Sequence, residues 1–303
     1  MTEGGKSLVI VLPTVGCRHY RESGGCVFCS YAREARGGVT GRELLEVFDR
    51  VMETVKRPDP PFAVKIFTSG SFLDPEEVPP DVRRGILARL ADDPDVSEVC
   101  FESRPEFVKP EILEEVAEVL GGKPFEVGIG LETADDGLRE LLRKDVTREE
   151  FEEAVENVKE AGGIAKAYVL LKPPFLSEAE AVLDCVESCL YAWDVGCERV
   201  SVCPMTVHAG TPVERWWRAG LYRPPWLWSV VEVVVRVKEE APDLVVNPDT
   251  AGAGTPRGPS NCRRCSGRVA SALEAFRPSQ DVSVFEDLDC RCRGSWREDL
   301  TSR

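Results

Sequence analysis

The chain is poor in three things. Among its 303 residues it has only two histidines, His19 and His208. It sets 38 basic residues against 53 acidic ones, a net charge of −15. No apolar run reaches the roughly 18 residues that a membrane span needs. Each shortage excludes something. A lone histidine is more often structural than catalytic, so neither His19 nor His208 makes a centre by itself. A charge this negative argues against broad, nonspecific binding of nucleic acid. The N-terminus MTEGGKSLVIVLP offers one lysine, a short apolar run and a proline in place of a signal-peptide pattern, so a cytoplasmic location is expected. The 43% hydrophobic and 30% charged fractions are those of a soluble globular protein, long enough for one large domain or two smaller ones.

What the chain has in plenty is cysteine. Twelve cysteines without an export signal suggest metal ligation more than disulfides. Three of them, Cys17, Cys26 and Cys29, share the stretch VGCRHYRESGGCVFCSY in a C-x8-C-x2-C spacing. Three thiolates on one loop can hold three irons of a cubane cluster and leave the fourth open to a small molecule. Phe28, between the last two, is placed to pack beside whatever fills that opening. Two blander readings stand beside this one: a zinc knuckle with His19 as the fourth ligand, or unrelated buried thiols.

Four more cysteines lie near the C-terminus, Cys262 and Cys265 as C-x2-C and Cys290 and Cys292 as C-x-C. Four sulfurs in two pairs suit a closed structural zinc site. An auxiliary iron–sulfur cluster is the competing reading, and C-x-C is tighter than the usual zinc pair. Cys100, Cys185, Cys189, Cys197 and Cys203 read as buried thiols acting as small hydrophobes.

Between the two cysteine groups, strand and helix signals alternate. Residues 7–12, 62–67, 96–101, 125–131, 164–171 and 199–203 read as strands. Residues 41–56, 82–90, 110–120, 136–143, 147–161, 178–193, 213–219 and 226–240 read as helices, the first opened by a Thr40/Glu43 capping box. Six strand-then-helix units imply parallel strands with right-handed crossovers, in a partial barrel or an open doubly wound sheet. The Gly- and Pro-rich stretch 242–261 reads as a connector. The expected division is a core domain over 1–241 and an extension over 242–303.

In such α/β folds, ligands gather at the C-terminal ends of the strands. Those ends hold the cysteine loop, Ser69–Ser71, Glu102 with Arg104, Glu132, Lys172 and His208. Gly70 permits close approach of a ligand amine to the backbone. Arg104 can pair bidentately with a carboxylate, and Glu102 or Glu132 can accept from hydroxyls or an amine. This convergence favours the cluster reading, with S-adenosylmethionine (SAM) on the open iron.

The segments GCRHYRESGGCVFCSYA, FTSGSFLD, FESRPEFV, GIGLET, AYVLLKPPF, VCPMTVHAGTPVE, YRPPWLWS, RGPSNCRRC and CRCRGSW carry a resemblance over nearly the whole chain. The chain resembles the Elongator-catalytic-subunit-like branch of the radical SAM superfamily, and within it the archaeosine synthase beta-subunit family. That resemblance implies a partial (β/α)6 TIM-like barrel with a small four-cysteine extension at its C-terminus. It implies a [4Fe-4S] cluster on Cys17, Cys26 and Cys29, and SAM contacts at Ser69, Gly70, Ser71, Glu102, Arg104, Glu132 and Lys166. It implies a lyase acting on tRNA whose D-loop 7-deazaguanine carries a lysine added by the synthase alpha subunit. Cleavage of the lysine C–N bond would leave archaeosine, with a one-electron donor driving the chemistry. The alternatives are a radical SAM enzyme for another tRNA base or a small molecule, and a non-catalytic zinc-binding scaffold. No acetyltransferase domain follows the core, which argues against an Elongator-type function. The net acidity is awkward for a tRNA enzyme. The partner subunit would supply most phosphate contacts, and Arg257, Arg263, Arg264, Arg268, Arg291 and Arg293 would add a local basic patch.

Overall fold

The fold is that of a computed structural model, which describes residues 6–33 and 35–301. Strand β1 (Ser7–Val11) buries Leu8 and Ile10 and exposes Val9 and Val11, so one face only is packed. Helix α1 (Arg18–Ser23) lies inside the first cysteine loop. It is stopped by Gly24, whose left-handed φ of 84° would strain any residue with a Cβ. Helix α2 (Gly41–Thr54) starts at the Thr40/Glu43 capping box, with both reciprocal bonds formed.

Strand β2 (Phe62–Phe67), α3 (Pro80–Asp92), β3 (Val96–Ser103), α4 (Pro110–Leu120) and β4 (Phe125–Glu132) follow. Proline at the first turn of α3 and α4 sits where its missing N–H has no intrahelical partner to lose. Next come α5 (Asp136–Leu141), α6 (Arg148–Glu160), β5 (Ile164–Leu171), α7 (Glu178–Val195) and β6 (Arg199–Pro204). The chain closes with α8 (Pro212–Arg218), α9 (Leu227–Glu240), β7 (Val245–Pro248), α10 (Ser266–Ser279) and α11 (Cys292–Thr301).

The strands form one seven-stranded sheet in sequence order, β1 to β7. β1–β2, β2–β3, β3–β4 and β6–β7 all pair in parallel. Parallel strands need crossovers, and the intervening helices supply them. Val64, Ile66, Val99, Val127 and Ile129 are fully buried on alternate positions. The positions between them carry Lys65, Glu98, Cys100, Glu126 and Gly128. On β2, β3 and β4 one face is therefore apolar and the other carries charge.

The chain forms two compact units. The first takes the chain up to Gly25, Ser30–Gly130 and Val146–Lys166; the second takes Cys26–Cys29, Leu131–Asp145 and the chain from Ala167 onward. In the first, α3 packs on α2 and α4; in the second, α7 packs on α9 and α11.

Three features depart from expectation. The segment 242–261, read as a connector, contains β7, so the sheet has seven strands and not six. Four residues ending at a proline are too short to show periodicity. Pairing with β6 makes the strand, and Gln280 covers its outer edge by bonding both the N–H and the C=O of Val246, at 2.8 and 2.9 Å. Helices α1 and α11 also lack a sequence signal. α1 is a six-residue turn supported by the Arg18–Glu22 pair, and α11 begins at a cysteine of the C-terminal group.

Candidate functional site

In the first unit, Cys17 caps the start of α1 and is half-buried. Its N–H donates to the carbonyl of Ser69 at 3.2 Å, which ties the cysteine loop to the turn after β2. Gly70 lies against this contact. A Cβ there would stand 2.5 Å from the Cys17 Cα and would also run into the Glu77 carboxylate. Only glycine lets the two loops meet.

Glu77 is the hub of this corner. It is almost fully buried and accepts the Ser71 N–H at 2.8 Å and the Thr14 hydroxyl at 2.6 Å. The Thr14 oxygen in turn accepts the Ser69 N–H at 3.4 Å. Burial pushes the Glu77 carboxyl up to about 7, against the lowering effect of its two donors. Arg21 of α1 secures the other side. It donates to the Gly16 carbonyl at 3.0 Å and to Glu76 at 2.7 Å, and lies 3.6 Å from buried Asp74.

The Ser71 hydroxyl accepts the Arg104 N–H at 3.0 Å, so the turns after β2 and β3 are joined. The Arg104 guanidinium meets Glu106 at 2.5 Å. Glu102 is half-buried, and its carbonyl accepts the Phe72 N–H at 2.9 Å. Lys166 is buried and pairs with Glu126 at 3.4 Å. Glu126 stands beside Cys100 in the β3–β4 register, and Lys65 stands beside Cys100 on its other side. The Cys100 thiol donates to Glu98 at 3.3 Å, so it sits among carboxylates and not only among hydrophobes. Burial is the first cause holding that thiol neutral, and the two glutamates add to it.

In the second unit, Cys26 and Cys29 bracket a tight turn, with the Cys29 N–H donating to the Cys26 carbonyl at 3.3 Å. Val27 anchors the turn. Its N–H bonds the Leu142 carbonyl at 3.1 Å and its side chain is buried with Leu138, Leu142, Leu170 and Met205. Phe28 packs on the edge of the same cluster.

Two residues at strand ends of this unit have left-handed backbones, Glu132 at φ 66° and Lys172 at φ 60°. Such strain in residues other than glycine is held by surrounding bonds. Lys144 donates to Glu132 at 2.6 Å, and Lys172 donates to Glu178 at 2.6 Å. Glu178 also accepts the Trp226 N–H at 2.8 Å and the Ser229 hydroxyl at 2.5 Å. His208 is half-buried, and its carbonyl accepts the Thr211 hydroxyl.

The C-terminal thiols of Cys262, Cys265, Cys290 and Cys292 all lie within 4.8 Å of one another. The Arg264 backbone N–H is the first cause drawing the Cys262 thiol down, to about 6. Of the six arginines expected as a basic patch, Arg257 is taken by Glu214 at 2.6 Å, Arg268 by the Asp289 carbonyl, and Arg293 stacks over Trp228. Arg263, Arg264 and Arg291 are exposed beside the cysteines.

Comparison with known proteins now bears on this geometry. The Radical SAM superfamily model matches residues 11–186. The archaeosine synthase subunit beta of Thermococcus kodakarensis is 41% identical over 295 residues, 96% of this chain and 91% of that protein. That of Methanosarcina acetivorans is 38% identical over 297 residues, 97% of this chain and 85% of that protein. The chain belongs to the radical SAM superfamily, in the archaeosine synthase beta-subunit family. A solved structure of Elp3 from Methanocaldococcus infernus superposes with a TM-score of 0.55 at 13% identity, covering 92% of this chain and 64% of that one. At that identity the likeness concerns the fold.

A radical SAM domain implies SAM and a [4Fe-4S] cluster. The chemistry of the first cysteine loop fits them: Cys17, Cys26 and Cys29 are half-buried cysteines outside any disulfide. At Gly70 the backbone forms a cradle that a Cβ would fill. Sequence reasoning missed Glu77, Arg21 and Lys144. Glu77 had no motif around it, and only the fold brings it to Thr14 and Ser71. Among the described residues no helix is long and apolar enough to cross a membrane.

Proposed function

We propose that this chain is a radical SAM lyase that completes archaeosine in tRNA. Its substrate would be a D-loop 7-deazaguanosine already bearing a lysine, attached by the synthase alpha subunit, and the broken bond would be the lysine C–N bond. The observation that carries this reading is the likeness to two archaeosine synthase beta subunits across nearly the full chain. The strand-end residues support it, because they offer donors and acceptors suited to a charged cofactor and an amino-acid-bearing base.

Cys17, Cys26 and Cys29 would hold the cluster by three thiolates. When bound, the cluster and SAM supply a one-electron cleavage that yields methionine and a carbon radical able to take hydrogen from the substrate. The protein's part is to bind, orient and exclude water. Backbone groups of Ser69–Ser71 would receive the SAM amine, at a turn fixed by Glu77 and Thr14. Glu102 and Glu132 would accept from the ribose or the amine, and Lys166 and Arg104 would answer carboxylate charge. Phe28, edge-packed on the apolar cluster, would line the cofactor's side.

The test is turnover with anaerobically purified protein, a one-electron reductant, SAM and lysine-bearing tRNA made by the alpha subunit. Archaeosine and 5′-deoxyadenosine should appear together, and Cys26→Ala should abolish both. If 5′-deoxyadenosine forms equally well with unmodified tRNA or a small molecule, the substrate assignment fails and the radical assignment survives. If the wild-type protein binds no SAM and contains zinc in place of iron, both fail.

A further inference from the structure

The four thiols at the C-terminus set a metal's identity by their spacing. The Cys262 sulfur lies 3.6 Å from that of Cys265 and 3.5 Å from that of Cys290, and the Cys265 sulfur lies 3.4 Å from that of Cys292. No pair exceeds 4.8 Å. A single ion with four metal–sulfur bonds of about 2.3 Å in a tetrahedron sets its sulfurs about 3.8 Å apart. A cubane gives each thiolate its own iron at an outer corner, which needs sulfurs on the order of 6 Å apart. The observed cage has room for one ion and no room for four irons and four sulfides. It is also far too wide for disulfides, whose sulfurs lie about 2.05 Å apart.

The surroundings are those of a closed site. The Cys265 residue is 1% exposed, and the indole N–H of Trp228 donates to the Cys292 sulfur at 3.4 Å. Such a donor offsets thiolate charge and fixes ligand direction. All four positions are sulfur, so no coordination place is left for substrate.

We propose that Cys262, Cys265, Cys290 and Cys292 bind one tetrahedral zinc ion, a redox-inert clamp and not a second iron–sulfur cluster. Among divalent ions, zinc binds such sites more tightly than ferrous iron does. The clamp joins cysteines 28 positions apart and sets where α11 begins. From α11, Trp296 donates to the Ser229 hydroxyl at 2.9 Å, and Ser229 donates to Glu178, the partner of Lys172. The ion therefore fixes the chain end that supports a strained strand-end lysine.

The experiment measures iron and zinc in protein purified without oxygen, as wild type and as Cys17→Ala/Cys26→Ala/Cys29→Ala. The expected result is about one zinc per chain in both, with about four irons in the wild type alone. Zinc-edge X-ray absorption on the wild type should show four sulfurs at about 2.3 Å. Exchange of cobalt for zinc in the triple variant should give the visible bands of a tetrahedral tetrathiolate. Cys290→Ala should lose the zinc and keep the irons. Iron remaining in the triple variant, as a cluster or as a single ion, overturns the proposal. So does a zinc shell containing nitrogen or oxygen. Because the triple variant lacks the first-loop thiols, these results stand apart from the fate of the radical reading.

Discussion

Thr14 and Glu77 are 63 positions apart in sequence and share a hydrogen bond of 2.6 Å under the turn that meets Cys17. Burial pushes the Glu77 carboxyl up to about 7. Its folded value is above its unfolded one, so the native state holds the extra proton between about pH 4.5 and pH 7. Stability from this group therefore falls as pH rises through that window. Glu77→Gln should remove the slope, and the difference between wild type and variant should span up to about 3 kcal/mol. Denaturant midpoints measured from pH 5 to pH 8 would check it. Parallel curves for the two proteins would refute the titration.

Gly70→Ala forces a methyl group into the Cys17 backbone and the Glu77 carboxylate. The backbone cannot yield far there, because Ser69 and Ser71 are both bonded. Iron per chain after anaerobic reconstitution should drop by half or more. Far-UV circular dichroism should stay the same, since the turn lies outside every helix. Full iron loading in the variant would show that the close approach does not matter.

Lys172→Met would leave the Glu178 carboxylate buried with two neutral donors and no cation. Breaking one side of a buried pair costs about 3 kcal/mol. The chemical-unfolding midpoint should fall accordingly at unchanged slope. Lys172→Met/Glu178→Gln should recover part of the loss, because the uncompensated charge is gone. Equal losses in the single and double variants would rule out the charge argument.

Glu132 is proposed as a cofactor contact and is held by Lys144 on a left-handed backbone. Lys144→Met should free the carboxylate from its partner while leaving its own atoms in place. The expected outcome is weaker SAM binding by about tenfold, roughly 1.4 kcal/mol, read by calorimetry on the reconstituted protein. Unchanged affinity would place Glu132 away from the cofactor.

Much of this protein was legible in one dimension. The C-x8-C-x2-C spacing, the alternation of apolar strands with capped helices, and the C-x2-C and C-x-C spacings of the later cysteines are local patterns. They follow from hydrogen-bond periodicity and ligand count, which need only neighbouring residues. The capping box at Thr40 and the strand Ile164–Leu171 formed as their sequences require. Tertiary structure decided the rest. Only folding could show that Glu77 sits under Ser71, that Lys144 and Glu178 answer Glu132 and Lys172, or that β7 exists at all. These depend on contacts between residues far apart in sequence, and burial, not propensity, sets their energy. The separation of four sulfurs is of the same kind: the sequence supplies the ligands, and the fold sets the distances that choose the ion.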